Sequence, residues 1–418
     1  MGVVLQQIVG QQFGNRFYPD FSGVALSYNY YPIEGQRTEE GTALLALGLG
    51  QQIVQGGAAL RFCPASPTVL PQFQQAFDYV RLSQSEFWAV DLSRSLVDFT
   101  AAPESSLKVY PNSAAEQDGT FGVVGSVYSP GDDAVRENLR LDGPRAVTFN
   151  NILKWREIPL AEALSEILGL LRDGMGCPVE VEFAVDMGDR GQTTRGGDER
   201  RCPTLYVLQV RPMTEMATNQ QVVVQRFDPE ELLCSTDKAL GHMVREDIRD
   251  IVYVKEDAVE HYPTPTIADQ VGEINAPLQR AGCPFFLIGP GRWGTSDARL
   301  GIPAEWEQIA GAAIIAETRL RDRETEPSLG SHFFGNVTSL GLGYLTLHGK
   351  AHGSGGAFID FAWLDSQEAV RETPAVRHVQ LDKPLRAYLD GRQGKATILK
   401  PSNADPDALP EPVRLTGE

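Results

Sequence analysis

Apolar and polar positions alternate most regularly in two short segments in the middle of the chain. Residues 179–186 read VEVEFAVD and residues 204–212 read TLYVLQVRP. A period of two predicts two half-buried strands. The stretch between them, 187–203, is charged and glycine-rich and reads as a solvated hairpin connection. Paired antiparallel, the strands can put Glu182 and Gln209 on one face with Arg211 beside them. A carboxylate, an amide oxygen and a guanidinium on one sheet face suit Mg²⁺ and nucleotide phosphates, because the hard cation takes oxygen ligands and arginine takes phosphate oxygens as a fork. A surface hairpin with polar outward positions satisfies the same pattern.

Helical periodicity is clearest over residues 159–172, where Leu160, Ala163, Leu164, Ile167, Leu168 and Leu171 form one apolar stripe. Pro159 suits its first turn and Gly174 its C-terminal cap. A helix is expected over 72–88, followed by a strand near 87–92. Residues 100–148 are polar, glycine-rich and strand-like. A polar link at 213–221 separates a domain over 1–215 from a second over about 222–400. In the second, Thr266 can cap a helix carrying Ile267, Val271, Ile274 and Leu278, and 285–288 reads as a buried strand. The residues from 401 to 418 are rich in Pro, Asp and Glu and are expected to be disordered. The fold class expected is mixed α/β (α+β) in two domains.

Length and composition agree with that division. A chain of 418 residues with 42% hydrophobic positions supports more than one globular core. The formal charge is −18, from 37 basic and 55 acidic residues. That balance argues against nucleic-acid binding and docking on anionic membranes, while leaving room for local arginines to hold phosphate. The five cysteines are scattered and odd in number, without a CxxC, which fits a reduced cytoplasm. No signal peptide or uninterrupted membrane-length apolar run is visible.

Two motifs mark the second domain. Residues 289–294, GPGRWG, spell GxGxxG after the buried strand, with Glu317 about the distance away that a dinucleotide fingerprint requires. Gly301 and Pro303 interrupt the space where a Rossmann helix would run, so a loop approaching an anion closely, with Arg292 as the charge, is the better functional reading. The alternative is a tight turn with Arg292 in a structural ion pair, for example to Asp297, and Trp293 in the core. Residues 327–336, PSLGSHFFGN, place His332 after Gly-Ser. Near a helix start such a histidine can accept a phosphoryl group or contact a ligand. The adjacent phenylalanines equally suit a buried, structural His332. The two motifs together would form one anion pocket. The other histidines show no metal spacing.

Several segments resemble a known family. VEFAVD followed by LYVLQVRPM looks like the end of the ATP-binding domain of phosphoenolpyruvate synthase and pyruvate phosphate dikinase. Residues 21–25, FSGVA, and 46–50, ALGLG, with 53–56, IVQG, resemble upstream motifs of that domain, in the same order. The family pattern carries Glu where this chain has Gln51. The resemblance covers about residues 1–215. It implies the C-terminal lobe of an ATP-grasp fold, with Glu182 and Gln209 as ligands of Mg²⁺, Arg211 neutralising phosphate and Gln6 near the adenine-side hinge. GPGRWG and SHFFGN together look like the C-terminal domain appended to this half in phosphoenolpyruvate-synthase-like proteins.

The implied activity is ATP-dependent phosphoryl transfer toward pyruvate or phosphoenolpyruvate. Arg211 and His332 are then the catalytic candidates, and Gln6, Glu182, Gln209, Arg211 and Arg292 the ATP-binding ones. The resemblance also implies a first lobe and a long barrel that this chain lacks, which makes it a fragment, a subunit completed by a partner chain, or a divergent member. The alternatives are a nucleotide-binding regulatory or assembly protein without turnover, and a small-anion binding module centred on Arg292 and His332.

Overall fold

The computed structural model describes residues 6–33, 35–93, 106–188, 202–213, 227–321, 326–347, 357–391 and 393–401. The chain divides into two compact units, 1–213 and 214–418. Both are built from sheets with flanking helices, which makes the fold mixed α/β. The expected opening strand falls partly, and the interdomain link and acidic tail almost wholly, outside the described residues. Among the described residues, no helix is long and apolar enough to cross a membrane.

The first unit is organised by a five-stranded antiparallel sheet. Its members are β1 (Phe21–Leu26), β2 (Thr42–Leu47), β3 (Leu60–Phe62), β4 (Val179–Asp186) and β5 (Thr204–Pro212), in the spatial order β5-β4-β1-β2-β3. Val179, Val181, Phe183 and Val185 of β4 join Phe21, Ala25, Leu45 and Leu60 in one core cluster. Helix α1 (Leu160–Met175) closes it with Leu160, Leu164 and Leu168, all buried. The helix runs past Gly174. The left-handed cap that ends it is Gly176, at φ 69°. The polar region after residue 106 adds short strands and helices, and Phe121, Val127 and Ala146 bury themselves without a long periodic run.

In the second unit, a seven-stranded sheet carries the parallel core. Its central strands are β6 (Asp250–Val254), β7 (Phe285–Pro290), β8 (Ala312–Thr318) and β9 (Gly343–Leu347), adjacent in that order, with antiparallel strands on both sides. Helix α2 (Thr264–Ala281) connects β6 to β7, and α3 (His332–Ser339) connects β8 to β9. The four apolar residues expected on α2 are buried. The helix begins two residues before Thr266, with Thr264 in its first turn. One face of the sheet packs through Ile251, Phe286, Ile314 and Leu345 on a five-stranded antiparallel sheet that contributes Cys234, Leu389 and Ile398. No helix follows Gly294; a short strand pair (Arg292–Trp293 with Gly301–Ile302) takes its place.

Two predictions follow from the packing. Gly23 of β1 lies beneath Phe183: a Cβ there would sit 2.2 Å from the ring and 2.7 Å from the Leu44 carbonyl. Gly23→Ala therefore overpacks the sheet, and its denaturant midpoint should report a loss of about 1–3 kcal/mol. In the second unit, burial pushes the fully buried Glu317 carboxyl up to about 7, against the Tyr344 hydroxyl, the Trp293 amide and Arg292, which favour its charge. The folded carboxyl thus keeps its proton to higher pH than the unfolded one, whose ordinary value is 4.5. Between these values the unfolded state binds fewer protons, so stability falls as pH rises. Glu317→Gln should flatten that slope, measured as unfolding free energy against pH; identical slopes would contradict the assignment.

Candidate functional site

The hairpin of β4 and β5 pairs Glu180 with Arg211, Val181 with Val210 and Glu182 with Gln209. Direct cross-strand partners share a face, so Glu180, Glu182, Gln209 and Arg211 lie together opposite the core, with neighbouring Cβ atoms about 5 Å apart. Register shifts after Glu182, where Phe183 pairs with Val207 and Leu208 becomes the extra residue of a bulge on the edge strand. Gln6 Nε2 donates to the Leu208 carbonyl at 3.0 Å, so the structure places Gln6 at this bulge.

Arg211 holds the two carboxylates. Its Nη2 donates to Glu180 Oε1 at 2.5 Å and to Glu182 Oε1 at 2.7 Å. The guanidinium side chain is 40% exposed, against 16% for Glu180 and 25% for Glu182, so the acids sit deeper than the base that neutralises them. Gln209 is exposed. Sequence reasoning did not single out Glu180, although the alternation that marks Glu182 puts it on the same face two residues earlier.

The rest of that sheet face is apolar and covered. Leu26 and Val24 of β1 lie beside Glu180 and Glu182, and Leu44 of β2 lies beside Val24. All three are buried. The chain after β1 borders the face: the Tyr28 and Tyr30 rings meet edge-on at 4.9 Å, and Arg61 Nη1 donates to the Tyr31 carbonyl at 3.3 Å. Burial, with smaller contributions from Tyr28 and Glu180, holds the Tyr30 hydroxyl well above the ordinary tyrosine range. Gln51 begins the short helix Gln51–Val54.

Among the described residues no group of three or more His, Cys, Asp or Glu could hold a metal ion. The donor set at the hairpin is instead two carboxylates and an amide oxygen. It fits Mg²⁺ only as a partial shell, completed by water and phosphate oxygens, which is the usual state of that cation at nucleotide sites.

The second-unit candidates are not brought onto one accessible surface. Arg292 is 8% exposed, and its Nε donates to the Glu326 carbonyl at 2.5 Å. Burial lowers its pKa while the carboxylates of Glu317 and Glu326 oppose that shift. Glu317 Oε1 accepts from the Trp293 amide at 2.9 Å, which fixes the loop. Arg292 is therefore an internal cation whose charge Glu317 and Glu326 favour, while the Asp297 carboxylate meets Arg299 at 2.7 Å. His332 is exposed at the first position of α3. The loop and the helix do touch: Gly294, at φ 68°, lies so close to Phe333 that a Cβ would fall 2.8 Å from the Phe333 Cβ.

The family described as "Pyruvate phosphate dikinase, AMP/ATP-binding domain" matches residues 1–232. A comparison with curated proteins gives no match. With more than half of its 418 residues inside that match, the chain belongs to the pyruvate phosphate dikinase AMP/ATP-binding domain family.

Proposed function

We propose that this protein is an ATP-dependent phosphotransferase of the phosphoenolpyruvate synthase type, with the outer face of the β4–β5 hairpin as the phosphate and cation end of its nucleotide site. One observation carries the assignment of residues: Glu182 and Gln209 are direct cross-strand partners, and Arg211 bridges Glu182 and Glu180. Family membership supports ATP or AMP as the ligand. The C-terminal lobe of an ATP-grasp fold is the architecture we assign to the first unit, and pyruvate is the acceptor that we assign from the family's description.

Glu182 and Gln209, joined by Glu180, are the residues that would hold Mg²⁺, which supplies charge neutralisation to phosphate oxygens. Without nucleotide, Arg211 keeps the two outward carboxylates from repelling each other. With nucleotide, the same guanidinium can turn its exposed side to a phosphate oxygen, and the carboxylates are freed for the cation. Reaction in such a site rests on positioning and on charge placed before the substrate arrives. The bulge at Leu208, tied to Gln6, fixes where Gln209 points.

Glu182→Gln tests the assignment. Its pairing with Arg211 is partly exposed, so the melting temperature should stay close to that of the unmutated chain. Its loss as a charged ligand should weaken Mg²⁺-dependent ATP binding by about ten- to a hundredfold, read by calorimetry with and without EDTA. Unchanged affinity in Glu182→Gln, or binding indifferent to EDTA, would move the nucleotide away from this hairpin.

A further inference from the structure

The sheet face that carries Glu182 and Gln209 continues past them. Beyond the bulge, β4 and β5 stay paired, with Ala184 opposite Tyr206. Ala184 is two residues from Glu182 and so lies on the same face, and a direct cross-strand partner shares it. Ser22 of β1 pairs with Ala184 on its other side, and Ala46 of β2 pairs with Ser22. This row is uncharged, and its side chains are small except for one ring. Ala46, Ser22 and Ala184 are each at most 2% exposed, whereas Tyr206 is 42% exposed.

The outer face of the hairpin therefore changes chemistry in one direction. Arg211 and Glu180 stand at one end, Glu182 and Gln209 in the middle, and Tyr206 with Ala184 at the other end. From Glu180 to Ala184 the rise along β4 is about 13 Å, comparable to the reach of an extended nucleoside triphosphate. The uncharged end is also bordered by backbone and amide groups. Ser22 Oγ donates to the Gly48 carbonyl at 2.8 Å, and a Cβ on Gly50 would lie 3.6 Å from the Ser22 Cβ, so the 48–50 turn folds onto this row. Gln6 reaches the bulge at Leu208, between Gln209 and Tyr206. At the charged end the aromatic rings are already engaged: Tyr28 and Tyr30 meet edge-on, and Tyr30 feels the Glu180 carboxylate. A nucleobase is flat, aromatic and uncharged. It stacks readily on an exposed ring, and it is poorly placed over carboxylates and a guanidinium that it would strip of water.

We propose that Tyr206 is the base-stacking residue of the nucleotide site, with the base on its ring and the phosphates running past Glu182 and Gln209 toward Arg211. The inference rests on the nucleotide reading of the hairpin and adds a specificity-determining residue to it. Every base has a stacking face, so the ring selects a nucleotide over a bare polyphosphate rather than one base over another.

The test titrates the full chain calorimetrically with ATP and with inorganic tripolyphosphate, both in Mg²⁺. Tyr206→Ala should weaken ATP binding about tenfold and leave tripolyphosphate binding unchanged. Tyr206→Phe keeps the ring and should match the unmutated chain for both ligands. The exposure of the ring predicts an unchanged thermal melt in both variants. Unchanged ATP affinity in Tyr206→Ala, an equal loss for ATP and tripolyphosphate, or a loss in Tyr206→Phe as large as in Tyr206→Ala would each overturn the stacking role. Glu182→Gln separates this failure from that of the nucleotide reading, since it should weaken both ligands. If it weakens both while Tyr206→Ala is silent, only the stacking falls. If it weakens neither, or if the unmutated chain binds neither ligand, the hairpin is not the phosphate site and both readings fall.

Discussion

The first unit depends on the register of one strand. β4 lies between β1 and β5, hydrogen-bonded on both sides, and its side chains alternate between a core and a polar face. The inward set, Val179, Val181, Phe183 and Val185, is at most 1% exposed, so a slip by one residue would drive Glu180 and Glu182 into that core and lift the apolar set out. The burial of the apolar face thus fixes the positions of the carboxylates. Chemistry on the outer face inherits its precision from packing on the inner one.

Electrostatics then sets what that face can do. Two carboxylates on adjacent outward positions of one strand repel, and Arg211 directly across from Glu180 relieves the repulsion. The arrangement is compact but open to solvent on the arginine side. Such a pair contributes little to stability, and under the proposed function the guanidinium would exchange a carboxylate for a phosphate. In the second unit the opposite regime holds. Arg292 and Glu317 are buried together, and the cation is committed to holding a loop.

The hairpin was legible in the sequence because period-two alternation ran over eight or nine residues on each strand. Helix α1 was equally plain, although its end was misplaced: both Gly174 and Gly176 follow the apolar stripe, and only backbone geometry shows that Gly176 takes the left-handed position. The region after residue 106 was opaque because its strands are three to five residues long, too short for alternation to declare itself. The burial of Arg292 could not be read from its motif. It depends on Glu317, which reaches it through the pairing of β7 with β8 rather than through proximity in the chain.

A crystal structure of the chain with ATP and Mn²⁺, using the anomalous signal of manganese, tests the central claim most directly. The account predicts a manganese peak at about 2.1–2.2 Å from a Glu182 carboxylate oxygen and the Gln209 amide oxygen. It also predicts Arg211 turned from Glu182 onto a phosphate oxygen. ATP and manganese bound elsewhere, with the Arg211 bridge to Glu180 and Glu182 intact, would contradict it.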